Sequence, residues 1–209
     1  MAHKKLDILN DGFVILKGYE GDVDPSEWEG LRYFDYKSGG DTNFAVLASA
    51  TGQEETDPFW AHDKSDKDGV WTQNADKAPS LRKWVENVGA RFGRVRIIKL
   101  EPSASLEEVT ERFLHPDDNN RLNPDGEGWV LRSWLNLTDD TDSFMIVRDV
   151  RDDPSTESRI PIPKGAQFVV DTERMFHAVY HAGSKPRYAL ITSFESGPEL
   201  DSWIKSNLP

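Results

Sequence analysis

The sequence predicts a mainly β fold, a sandwich or barrel of antiparallel strands with flanking helices on one side. Three observations predict it. Short strand-like segments follow one another between residues 94 and 195, each bounded by turn residues. An amphipathic helical segment precedes them, and a short helix ends the chain. No repeat, low-complexity linker or composition break divides the 209 residues. One domain over 1–209 is therefore expected: an N-terminal strand, loops and helix in 1–93, a strand-rich core in 94–195 and a C-terminal helix in 196–209.

Residues 12–18 read as a strand between two glycines. Residues 19–75 are irregular and rich in Asp, Gly and Ser, with Trp28, Trp60 and Trp71 spaced through them. Those rings either pin loops to a core or line a binding mouth. Pro79 opens a helix in which Leu81, Trp84, Val85, Val88 and Phe92 recur at three- and four-residue steps, and Gly93 is expected to stop it. Strands are expected at 94–101, 128–137, 143–149, 166–171, 175–181 and 187–195. Turn signals at 123–126, 139–142, 163–165 and 183–186 separate them. A last helix covers 198–207.

Composition excludes several kinds of function. Lys and Arg number 25 against 37 Asp and Glu, a formal net charge of −12, which repels nucleic-acid phosphates and anionic membranes. There is no cysteine, hence no disulfide scaffold, thiolate metal site or thiol nucleophile. No apolar run is long enough to span a bilayer, and the N-terminus lacks the apolar core of a secretion signal. A soluble cytoplasmic protein is expected.

The chemistry concentrates in two stretches. His115-Pro116-Asp117 places an imidazole and a carboxylate two residues apart, on one face of an extended chain. His177 lies in a second strand-like stretch. Two imidazoles and one carboxylate make the facial triad of non-haem Fe(II) oxygenases, which leaves positions open for dioxygen and a chelating co-substrate. Arg187 follows His177 by ten residues, after a tight turn expected to lay the two strands side by side. A guanidinium inside a barrel needs an anionic partner, and a dicarboxylate supplies one. In 130–137, Arg132, Trp134 and Asn136 share one strand face, and Leu131, Ser133, Leu135 and Leu137 the other. Either the leucines pack on the helix layer and the polar face lines the barrel, or the leucines fill the barrel and Arg132 reaches solvent.

Together, His115-x-Asp117, Arg132 in Leu-Arg-Ser-Trp-Leu-Asn-Leu, His177 in Phe-His-Ala-Val-Tyr-His, and Arg187 resemble the Fe(II)/2-oxoglutarate-dependent oxygenases, most nearly the aspartyl/asparaginyl β-hydroxylase-like branch. The resemblance covers 94–195. It implies a double-stranded β-helix (jelly-roll, cupin-like) core, with His115, Asp117 and His177 as catalytic iron ligands. Arg187 would bind the far carboxylate of 2-oxoglutarate, and Arg132 its near end or the substrate. Fe(II), 2-oxoglutarate and O2 would together hydroxylate a C–H bond of a small molecule, a free amino acid or related metabolite. Asp117 fills the coordination position a halide would need, which argues against halogenation. Trp134, Asn136 and His181 are candidate substrate contacts, although that branch often carries other residues in the places of Trp134 and His181. Taking His115 as the ligand also requires extra residues between Leu100-Glu-Pro-Ser and the motif.

His181 shares the face of His177 and serves as a substrate contact, a support for the ligands, an alternative ligand or a surface residue. His62 lies in the irregular region and is either solvated or near a pocket mouth, and His3 is part of the terminus. Two other functions fit the same residues: a cupin-type metal enzyme that does not use 2-oxoglutarate, and a non-catalytic jelly-roll binding module.

Overall fold

A computed structural model describes residues 6–9, 11–36, 41–123, 128–139 and 142–209. His3 and parts of the turns at 123–126 and 139–142 lie outside the described residues. Eleven strands are found among the described residues: β1 (Phe13–Leu16), β2 (Phe34–Asp35), β3 (Thr42–Ser49), β4 (Val70–Trp71), β5 (Phe92–Leu100), β6 (Val130–Asn136), β7 (Phe144–Arg148), β8 (Glu157–Pro161), β9 (Gln167–Val170), β10 (Phe176–Tyr180) and β11 (Arg187–Glu195). They form two antiparallel sheets. The larger runs β1–β9–β6–β11–β5–β3–β2 with β4 beside β3, and the smaller runs β10–β7–β8.

The sheets stack on an apolar layer that includes Trp134, Met145, Val147, Ile160, Phe168, Val170 and Ala189. Alternation along each strand decides what else points inward. Because Trp134 joins this layer, Arg132 and Asn136 on β6 share its side. Leu131, Leu135 and Leu137 pack instead against α2 (Pro79–Val88) and α4 (Pro198–Ser206) on the outer face. The first of the two arrangements for 130–137 is the one adopted. This is a double-stranded β-helix flanked by helices.

Four local expectations differ from the structure. The stretch 19–75 holds a short helix α1 (Ser26–Glu29) and the strands β2 to β4. In β3, Ala45, Val46, Leu47 and Ala48 are all fully buried, so no in–out alternation is written in the sequence. The α2 helix stops at Gly89, which takes φ 76°, rather than at Gly93, and Phe92 already belongs to β5. Polar, proline-ended β8 borders the smaller sheet, where a strand needs few apolar residues. Finally, β10 and β11 are not neighbours: β10 pairs with β7, and β11 with β5 and β6. The tight turn between them crosses from one sheet to the other, so His177 and Arg187 face the interior from opposite sides.

α2 begins without a side-chain cap of its own. The buried Glu27 of α1 serves instead, its Oε2 accepting from the Ser80 N–H at 2.9 Å and the Leu81 N–H at 3.2 Å. Two of the first-turn donors are satisfied in this way, by an anion at the positive end of the helix. No described helix is long and apolar enough to cross a membrane.

Candidate metal centre

His115 and His177 come from separate segments and meet through a two-way backbone bridge. The His115 N–H donates to the His177 carbonyl at 3.3 Å, and the His177 N–H donates to the His115 carbonyl at 3.0 Å. One ligating atom from each of His115, Asp117 and His177 lies within 4.8 Å of the others. The extra residues before the motif form α3 (Leu106–Glu108) and a π-helical turn (Val109–Phe113), which packs beside β10.

Both imidazoles are oriented alike. His115 Nδ1 lies 2.7 Å from the Phe113 carbonyl, and His177 Nδ1 lies 3.3 Å from the Met175 carbonyl. A carbonyl only accepts, so each Nδ1 carries the hydrogen and each Nε2 keeps a lone pair for a metal. Burial pulls the His177 pKa down to about 4, the Asp117 carboxylate working against it and His115 with it. His177 is therefore neutral near pH 7, the state a metal ligand needs.

Asp117 is held by Arg132, expected instead at the co-substrate or substrate, and by a residue that sequence reasoning missed, Asn119. Its Oδ2 accepts from Arg132 Nε at 3.0 Å and from Asn119 Nδ2 at 3.2 Å. Asn119 Oδ1 accepts from Arg132 at 2.6 Å. Burial opposes the carboxylate charge, but Arg132, His177, the Thr172 hydroxyl and His115 together hold the Asp117 carboxyl well below its usual range. Arg132 itself reaches the buried Asp66 at 3.7 Å, and Arg94 reaches the same carboxylate at 3.6 Å. Asp66 depends on Gly93, where a Cβ would sit 2.0 Å from the Asp66 carbonyl oxygen. Asn119 had a signal, since it stands two residues from Asp117 and so shares its face on an extended chain. Asp66 had none, being one acid among many in the irregular stretch.

A cavity of about 480 Å³ opens beside the three ligands. Arg94, Arg96 and Ile98 of β5, Arg132 and Trp134 of β6, and Val179 of β10 line it. Trp134 stacks on Phe168 at 5.2 Å and presents its ring to His177 at 6.2 Å. The other candidate residues stand elsewhere. Arg187, 1 % exposed, is not among the residues that line the cavity, although its register partner Leu100 is. Asn136 Nδ2 donates to the Thr138, Ile162 and Pro163 carbonyls and so ties down the end of β6. His181 is buried between the Ser143 hydroxyl and the Lys185 carbonyl, bracing the loop after β10. His62 pairs with Glu55 away from the cavity. Trp28 is core, Trp71 stacks on Phe92, and Trp60 lies under Arg121, so none of the three lines the mouth.

The donor set fits a divalent first-row metal: two neutral imidazole nitrogens and one carboxylate, with one side of the site open to a cavity. No protein-family model matches the chain, and no curated protein matches it in sequence. Solved structures match it in fold. A 2OG-Fe(II) oxygenase family oxidoreductase from Burkholderia pseudomallei is 13 % identical, with a TM-score of 0.55, over 90 % of this chain and 86 % of that one. A prolyl hydroxylase from Trichoplax adhaerens, solved with a hypoxia-inducible-factor degradation-domain peptide, is 11 % identical, with a TM-score of 0.54, over 92 % and 87 %. The α-ketoglutarate-dependent epimerase SnoN of nogalamycin biosynthesis is 15 % identical, with a TM-score of 0.51, over 90 % and 80 %. At these identities the likeness shows the fold. The chain thus has a 2OG-Fe(II) oxygenase-like fold and carries a candidate His-x-Asp…His iron site.

Proposed function

We propose that this protein is a 2-oxoglutarate-dependent non-haem iron oxygenase that hydroxylates a small molecule, a free amino acid or a relative of one. The observation that carries the reading is the convergence of His115, Asp117 and His177 beside a cavity in this fold. SnoN has also been solved in complex with Fe3+ and α-ketoglutarate, which supports the same pair of groups here. The residues around Arg132, His177 and Arg187 favour the aspartyl/asparaginyl β-hydroxylase-like branch.

In this reading, bound iron and 2-oxoglutarate supply the activation of dioxygen. The chain supplies everything that positions them. His115 and His177 would offer Nε2 with Nδ1 tied to backbone carbonyls, and Asp117 a carboxylate oxygen. Arg132 and Asn119 hold that carboxylate in place and ionised. Arg187, buried on the inner face of β11, would hold the far carboxylate of the co-substrate. Trp134, Ile98 and Val179 exclude water from the reacting face.

Succinate formation from 2-oxoglutarate in the presence of Fe(II) and O2 tests the proposal. Wild type is expected to produce succinate and His177→Ala none, and Mn(II) is expected to raise the melting temperature of the wild type alone. A second reading, a metal enzyme that does not use 2-oxoglutarate, is favoured by the absence of Arg187 from the cavity lining. Metal-dependent stabilisation without succinate, across a panel of amino acids, refutes the first reading in favour of the second.

A further inference from the structure

Arg96 is the anomaly of the cavity. It projects from β5 into the space beside the metal ligands and is 4 % exposed. Its guanidinium lies 5.3 Å from the Phe44 ring centre and 5.9 Å from that of Tyr36. Its buried Nε has no hydrogen-bond partner. The nearby carboxylate, Asp66, pairs with Arg94 and Arg132 instead, and Arg96 forms no ion pair among the described residues. Burial, then Arg94 and Arg132, act against its charge, and the smaller effects of Tyr36 and Asp66 only partly offset them. A protein with a net charge of −12 has therefore left a buried cation without a counter-ion, on the wall of its cavity. Burying a charge in that way is costly unless something pairs with it.

We propose that Arg96 anchors a carboxylate of the substrate, so that the site takes a small carboxylate-bearing molecule. Calling that molecule the substrate rests on the oxygenase reading above, whereas the preference for an acid is measurable without iron or 2-oxoglutarate. The far carboxylate of the co-substrate is not the same anion. Arg96 pairs in register with Ile191 of β11 and Arg187 with Leu100 of β5. The four-residue step from Ile191 to Arg187 sets the two levels about 13 Å apart along the strands. The two arginines are separate stations, and Phe44, Tyr36 and Ile98 give the one at Arg96 an apolar surround for the body of the acid.

Phenylacetate and phenylacetamide, alike in shape and different in charge, are the probes. Calorimetric titration of the metal-free full chain is expected to show the acid binding at least about tenfold tighter than the amide. Arg96→Gln and Arg96→Met are each expected to lose that preference. Both are also expected to melt no lower than the wild type, because an uncompensated buried cation has been removed. Equal binding of acid and amide by the wild type, or a preference that survives in either variant, overturns the proposal. Variants that melt well below the wild type make Arg96 a structural contact and overturn it too. In protein loaded with Mn(II) and saturating 2-oxoglutarate, phenylacetate is expected still to bind. Its displacement there assigns Arg96 to the co-substrate and overturns the substrate assignment. Failure of succinate formation with the acid preference intact refutes the oxygenase reading and leaves the anion site standing.

Discussion

Replacing Glu27 by alanine removes the carboxylate that starts α2. Glu27 is 6 % exposed and accepts two backbone bonds, one of them from Leu81, a residue with no exposure at all. Water does not reach that donor to replace the lost partner, so the change strands a buried N–H as well as deleting a charge from the helix N-terminus. A stranded donor costs about 1–3 kcal/mol, and the lost charge about 0.5–1 kcal/mol more. Together these give about 3 kcal/mol. For a chain of this length that lowers Tm by about 6–12 °C. Thermal melts and urea unfolding measure the loss. Glu27→Gln keeps an acceptor oxygen and is expected to lose less than half as much. Hydrogen exchange at Ser80 and Leu81 is expected to speed up in the alanine variant before exchange at Val88 does. An alanine variant within about 0.5 kcal/mol of the wild type, with exchange at Leu81 unchanged, refutes the capping role.

Two further outcomes follow from the metal centre. In chelator, His177 stays neutral down to about 4, whereas an unfolded chain protonates it near 6.5. Its contribution is complete above about pH 6.5 and is lost as the pH falls toward about 4, a difference of about 3 kcal/mol. Urea unfolding across that interval is expected to show wild type losing more stability than His177→Gln, and parallel curves reject this. Gly93→Ala forces a Cβ against the Asp66 carbonyl, so it is expected to cost about 3 kcal/mol and to weaken Mn(II) binding by shifting the Asp66–Arg132–Asp117 chain. Unchanged Mn(II) affinity in a folded variant breaks that link.

Much of the site was readable before any coordinates. The strand with Arg132, Trp134 and Asn136 on one face and leucines on the other leaves two orientations open in the sequence, and the packing of the leucines on α2 decides between them. The candidate metal motif stands out because an imidazole and a carboxylate two residues apart share a face. What stayed hidden is tertiary. β3 is covered on both sides and so carries no period of two. A glycine-proline turn after β10 has the composition of a hairpin, although in this topology it joins strands of different sheets. Asp66 and Arg96 are ordinary polar residues in the sequence, and only the meeting of β5, β6 and a loop gives one its partners and withholds them from the other. Asn136 and His181 share strand faces with site residues yet are used to fasten loops, since a shared face fixes a direction and not a depth along the barrel.

The ladder rung between His115 and His177 bears on how a cation enters. Two reciprocal amide bonds clamp the imidazole-bearing segments together, and each ring is already turned by a carbonyl two residues behind it. The receptacle is assembled by folding alone. An arriving ion therefore spends little of its binding energy on gathering wandering chain.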